Sequence, residues 1–198
     1  ALACGDTITA SKTMISDLSG TGGCITFGAN DISLNCNGYK ITYDTSGMGN
    51  VSAITAVGKR NVTVQNCFIQ DGNATGPSAG ITNGGSFGYG INFTGTNFSV
   101  IRNNTILTNG SNNNYGILLQ TSLYNLITNN SVNTQGSADT NHGMYFTTIA
   151  SLNNVTHNVI RTNGTGSNNG VETTTSGNVT FFNNTITVRG TTAGSSAI

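Results

Sequence analysis

Seven side chains could supply a carboxylate: Asp6, Asp17, Asp31, Asp44, Asp71, Asp139 and Glu172. No two of them lie within three residues of each other. Hydrolysis by two carboxylates needs an acid and a base about 5 to 10 Å apart, and Asp139 and Glu172, 33 residues apart, could meet only across a loop. The densest group of proton-transfer and charge-bearing residues is His142, Tyr145, His157, Arg161 and Glu172. Four cysteines, Cys4, Cys24, Cys36 and Cys67, all fall in the first 67 residues, without a CxxC pair or a clustered His. That spacing does not suit zinc, and no metal or cofactor is expected.

The elements that must position these residues follow from a repeat. Tyr89-Gly90-Ile91, Tyr115-Gly116-Ile117, His142-Gly143-Met144 and Asn169-Gly170-Val171 recur every 26 to 27 residues. A second marker keeps the same phase: Asn103-Asn104-Thr105-Ile106, Asn129-Asn130-Ser131-Val132, His157-Asn158-Val159-Ile160 and Asn183-Asn184-Thr185-Ile186. Asn66-Cys67-Phe68-Ile69 is a modified earlier copy. Each period holds three short β-type runs, such as 116–119, 125–128 and 131–134. Runs this short bury a face only by stacking on their own copies, which makes three parallel sheets around one core. The Asn pair falls at the corner after the second run, where Asn tolerates left-handed backbone angles and its amide can bond the next copy. An Asn ladder through Asn66, Asn104, Asn130, Asn158 and Asn184 is expected.

These residues resemble the right-handed parallel β-helix proteins of the pectin-lyase-like superfamily. Cys4-Gly5-Asp6-Thr7-Ile8-Thr9, the run from Ile32 to Ile41 and Asn61-Val62-Thr63-Val64-Gln65-Asn66-Cys67 look like the opening rungs of secreted and archaeal cell-surface members. The resemblance implies an all-β, single-stranded right-handed parallel β-helix of about 6 to 7 coils, spanning residues 1–198 as one domain. Residues 1–24 would be the N-terminal coil or cap. Residues 71–89 break the period, carry Pro77 and six glycines, and read as a loop leaving the wall, whether functional or a tolerated insertion.

In this register Cys36 and Cys67 lie near one corner of successive rungs, within disulfide reach. The expected pairs are Cys36–Cys67 and Cys4–Cys24; the alternative is four reduced cysteines stacked in the core. Enzymes of the superfamily act on acidic polysaccharides with clustered Asp and calcium, a basic Arg or Lys, or two Asp. None of these sets is apparent here. Tyr145 and Glu172 should point outward on the first sheet one rung apart, a possible surface ligand site, whereas His157 falls at a corner and Arg161 on the third sheet, so the five residues do not converge. The outward positions Thr55, Asn92, Leu118, Tyr145 and Glu172 are too irregular for an ice-binding array.

Composition narrows the remaining classes. With 7 Lys+Arg against 7 Asp+Glu, the chain lacks the clustered basic face that nucleic acid requires. No run approaches the roughly 18 apolar residues of a membrane span. Asn, Thr, Ser and Gly make up roughly half the chain, yet Ile, Val and Thr recur too regularly for disorder. Twelve Asn-X-Ser/Thr sequons occur; Asn73, Asn109 and Asn163, expected in Gly- and Asn-rich loops, are the glycosylation candidates, whereas Asn103, Asn129 and Asn183 belong to the ladder, where a glycan should not fit. Paired cysteines, sequons and a start at Ala1 point to a processed extracellular protein. Ala197-Ile198 begins another period without a cap, so the C-terminal end is expected to be open. The expectation is a non-enzymatic structural protein, a homo-oligomer or polymer building a cell-surface filament or surface layer through its solenoid ends. A carbohydrate-binding or polysaccharide-cleaving β-helix is the alternative.

Overall fold

In the computed structural model, which describes residues 1–47, 49–72, 88–110, 112–136, 140–190 and 195–198, the chain is an all-β right-handed solenoid. Twenty-one strands form three parallel sheets of seven strands each. Every third strand pairs with the one before it, so each rung contributes one strand to each sheet. The first rung is built from Asp6–Ile8, Lys12–Thr13 and Leu18–Ser19. Residues 1–24 are therefore a full rung with its connections. A typical central rung comprises Tyr115–Gln120, Leu126–Thr128 and Ser131–Gly136.

Alternation of side chains along each strand drives this arrangement. Thr105–Gly110 alternates half-buried and buried residues, as a strand with one wet face must. In the third sheet Ile41, Ile69, Ile106, Val132 and Ile160 stack in register and are fully buried. The first sheet adds Ile54, Ile91, Ile117 and Met144 to the same core. One column of the third sheet is polar: Thr108, Thr134 and Thr162 face inward in register, and their hydroxyls find no hydrogen-bond partner among the described residues.

The glycine markers are dictated by close approach. A Cβ on Gly143 would sit 2.3 Å from Cγ2 of Ile160 and 2.5 Å from the carbonyl oxygen of Gly170. Gly90, Gly116 and Gly170 meet the same obstruction in their own rungs, which is why the residue recurs at the repeat period.

Both expected disulfides are present. Cys4 bonds Cys24, and Cys36 bonds Cys67 with their Cα atoms 4.7 Å apart, one strand spacing. The interruption of the period is shorter than 71–89: Asp71 closes the strand Phe68–Asp71, and Gly88 and Tyr89 open the strand Gly88–Thr94. Asp71 is buried in register with Tyr43 in the third sheet, and Gly88 is buried in register with Val51 in the first. Among the described residues no helix is long and apolar enough to cross a membrane.

Candidate functional site

The corner after the second sheet carries the Asn ladder. The side-chain amide of Asn104 donates to Oδ1 of Asn130 at 3.0 Å, Asn130 to Asn158 at 2.9 Å, and Asn158 to Asn184 at 3.0 Å. Each accepting oxygen also takes the backbone N–H of the preceding ladder residue. Buried amides are thereby satisfied by their own copies.

Asn66 does not belong to this ladder. It has φ 56° and its amide donates to Oδ1 of Asn35 at 3.0 Å. Its equivalents are Asn103, Asn129, His157 and Asn183, all at φ of 55° to 57°; the inward position of that rung is held by Cys67. The same distinction corrects the placement of three sequons. Asn103, Asn129 and Asn183 are the left-handed, solvent-exposed members of their pairs, because a residue at that φ turns its side chain away from the core that its successor enters.

Two further ladders were not anticipated. At the corner leading into the first sheet, Asn114 donates its side-chain amide to Oδ1 of Asn141 at 2.9 Å, and the backbone N–H of Asn141 donates to Oδ1 of Asn168. At the corner between first and second sheets, Asn125 donates to Oδ1 of Asn153 at 3.0 Å. The signal for the former was available: Asn114-Tyr115-Gly116, Asn141-His142-Gly143 and Asn168-Asn169-Gly170 repeat Asn two residues before the last three of the four marker glycines.

The outward column of the first sheet is Thr55, Asn92, Leu118, Tyr145 and Glu172, as the repeat predicts. Beside it runs a stack of rings. Tyr89 and Tyr115 lie 5.2 Å apart at 8°, Tyr115 and His142 5.4 Å apart at 9°, and Tyr145 meets Tyr115 edge-on at 4.9 Å. This brings together His142, Tyr145 and Glu172 and adds Tyr89 and Tyr115, which sequence reasoning left out. His157 lies elsewhere, edge-on to Phe182, and Arg161 stands on the third sheet beside Asn133 and Thr187.

Polar contacts tie the cluster together. Nδ1 of His142 accepts the backbone N–H of Asn169 at 3.1 Å, so the neutral ring carries its proton on Nε2. The side-chain amide of Asn169 donates to Glu172, and the hydroxyls of Tyr145 and Thr174 share a hydrogen bond at 2.9 Å. Burial pulls the His142 imidazole down to about 4. Burial, reinforced by Tyr89, Tyr145 and Glu172, pushes the Tyr115 phenol up. Near neutral pH this histidine is an uncharged hydrogen-bond acceptor, stacked on Tyr115.

Of the glycosylation candidates, Asn109 and Asn163 are strand residues, in Thr105–Gly110 and Val159–Gly164, and not loop residues. Both face outward on the third sheet, in one column with Gln135 and Arg189; their Gly- and Asn-rich sequence suggested a loop, but Gly110 and Gly164 are needed where Asn114 and Asn168 pack against them. Asn73 lies outside the described residues. No three His, Cys, Asp or Glu among the described residues are grouped so as to hold a metal ion. No protein-family model and no curated protein sequence matches the chain.

Proposed function

We propose that this chain is a non-enzymatic structural β-solenoid of the cell exterior, a subunit of a surface filament or surface layer. The observation that carries the reading is the use to which the reactive side chains of the first sheet are put. His142, Tyr145 and Glu172 each spend a polar atom on a residue of their own or a neighbouring rung, and the rings of Tyr115 and His142 cover each other. Catalysis requires a group free to exchange protons with a substrate near the working pH, and this cluster instead joins rung to rung. Kinship with the pectin-lyase-like β-helix proteins belongs to the same proposal, supported by the period and the ladder.

Two disulfides in the opening rungs favour an oxidising compartment. N-glycans on the outer wall are part of the reading, and the exposed sequons at Asn103, Asn129, Asn163 and Asn183 are sterically open to them. Assembly through the solenoid ends would use the same parallel strand pairing that joins one rung to the next.

A carbohydrate-binding role is favoured by one feature, the half-buried Tyr145 beside Glu172 on an outward face. Electron microscopy of the purified protein, with intact-mass measurement of the same sample, separates the two. Filaments or sheets carrying glycan mass support the structural role. Dispersed particles that bind or cleave polysaccharide overturn it.

A further inference from the structure

Large apolar side chains are exposed unevenly around the solenoid. Nine are exposed among the described residues; Val57 ends a first-sheet strand and Phe182 ends the last second-sheet strand, and five others, Phe98, Tyr124, Leu126, Ile149 and Leu152, cluster along the corner between these two sheets or at the start of the second-sheet strands beside it. Three of these five hold one structural position. The residue two places before the paired start of each second-sheet strand is Asp31, Asn61, Phe98, Tyr124, Leu152 and Asn178 in successive rungs. Every one has a left-handed backbone, with φ between 51° and 59°.

That conformation suits Asn and Asp and costs a bulky side chain on the order of 1 kcal/mol or more. In three rungs the chain follows the preference, with Asp31, Asn61 and Asn178. In the three rungs between Asn61 and Asn178 it places Phe, Tyr and Leu there, at 55%, 50% and 41% exposure. Phe98 and Tyr124 recover part of that cost by stacking at 4.9 Å and 5°. Leu152, however, has no ring contact, and neighbouring Ile149, a β-branched residue at φ 65°, is 64% exposed. Strain and exposure at one stripe indicate an apolar partner.

The order of residues identifies the partner. From Asn61 to Asn178 the stripe reads polar, Phe, Tyr, Leu, polar, which is the same profile in both directions about Tyr124. The adjacent outward column of the second sheet, Thr63, Val100, Leu126, Asn154 and Thr180, is likewise polar at both ends and most apolar at Leu126. A twofold axis through the Tyr124 rung would set Tyr124 on Tyr124, Phe98 on Leu152, and Asn61 on Asn178, as a self-complementary interface requires. Electrostatics permit it: the one charged side chain on the outward face of these five second-sheet strands, Arg102, would face Thr156 and not its own copy.

We infer that this stripe is a lateral docking surface for a second copy of the chain, with the two solenoids side by side and antiparallel. The inference does not depend on the proposed structural role or on contacts at the solenoid ends. Five rungs at about 4.8 Å by one narrow sheet offer less area than a stable dimer uses, so the association is weak and is measured at high concentration.

Sedimentation equilibrium of the full chain from about 1 µM to about 1 mM should show a monomer–dimer equilibrium. Tyr124→Asn installs the residue that Asn61 and Asn178 already place at this position, so its melting temperature should be retained or raised while dimer affinity falls at least roughly tenfold. Geometry is tested by oxidation with oxidised glutathione. Tyr124→Cys should give a covalent dimer by itself, and Phe98→Cys only when mixed with Leu152→Cys. A wild-type chain that stays monomeric throughout, a Tyr124→Asn chain that associates as strongly as wild type, or Phe98→Cys that cross-links to itself as readily as Tyr124→Cys would overturn the inference.

Discussion

The backbone N–H of Cys67 donates to Oδ1 of Asn104 at 3.0 Å, the bond that Asn104 in turn makes to Asn130. Cys67 thus stands in the ladder one rung before its first asparagine, and the Cys36–Cys67 disulfide replaces two rungs of amide pairing with a covalent link. Redox chemistry and hydrogen bonding secure the same corner at successive levels.

Asn130, like Asn158, is bonded to the ladder on both sides. Its Oδ1 takes two N–H groups of Asn104, and its amide reaches Asn158 and the carbonyl oxygen of Ile101. Asn130→Ala leaves these buried groups unpaired and should cost about 1 to 3 kcal/mol. Asn66→Gly, at the left-handed corner outside the ladder, should cost less. Chemical denaturation of both variants checks the order, and equal losses would return Asn66 to the ladder.

Gly143 and Gly22 make a second contrast. A methyl at Gly143 meets Ile160 and the Gly170 backbone, whereas nothing lies within 4 Å of the Cβ position at Gly22. Gly143→Ala should destabilise by about 1 to 3 kcal/mol through overpacking, and Gly22→Ala should leave the melting temperature unchanged or slightly raised. A tolerated Gly143→Ala would mean that adjacent rungs can separate there.

Burial holds His142 near 4, below the usual 6.5 of a histidine. The unfolded chain therefore binds a proton at higher pH than the folded chain does. The sign follows: stability due to His142 is fully present above about pH 6.5 and is lost as pH falls through 6.5 toward 4. Thermal melts from pH 7 to pH 4 should show this slope, and His142→Gln, which keeps an acceptor for the Asn169 N–H, should reduce it. An unchanged slope in the variant would assign acid sensitivity to another group.

Much of the architecture was legible because the core and the first ladder repeat in sequence with the rung. The outward column from Thr55 to Glu172 could be read residue by residue, since a period-2 strand in fixed register leaves no freedom. Which Asn of each pair faces inward was not legible, because both are Asn and only the backbone φ separates Asn66, Asn103 and Asn129 from the ladder. Phe98, Tyr124 and Leu152 escaped notice for the opposite reason: local preference argues against bulky residues in a left-handed corner. The convergence of His142 with Tyr89 and Tyr115 was hidden because the column runs through Ser52, Tyr89, Tyr115, His142 and Asn169, in which only Tyr occurs twice.

The equivalence of Cys67 and the ladder asparagines predicts a rescue. Breaking the Cys36–Cys67 bond frees a loop of 31 residues, a loss of about 3 to 4 kcal/mol by chain entropy. With Cys36→Ala and Cys67→Ala the corner has neither covalent link nor amides. With Cys36→Asn and Cys67→Asn, the new side chain at position 67 can donate to Oδ1 of Asn104 and accept from the one at position 36, extending the ladder by two rungs. The double Asn chain should be more stable than the double Ala chain by about 1 to 3 kcal/mol and less stable than the oxidised parent. Denaturant melts of the three proteins set the order. A double Asn chain no more stable than the double Ala chain would show that the disulfide occupies a site where an amide cannot be satisfied, and that the ladder begins at Asn104 for steric reasons.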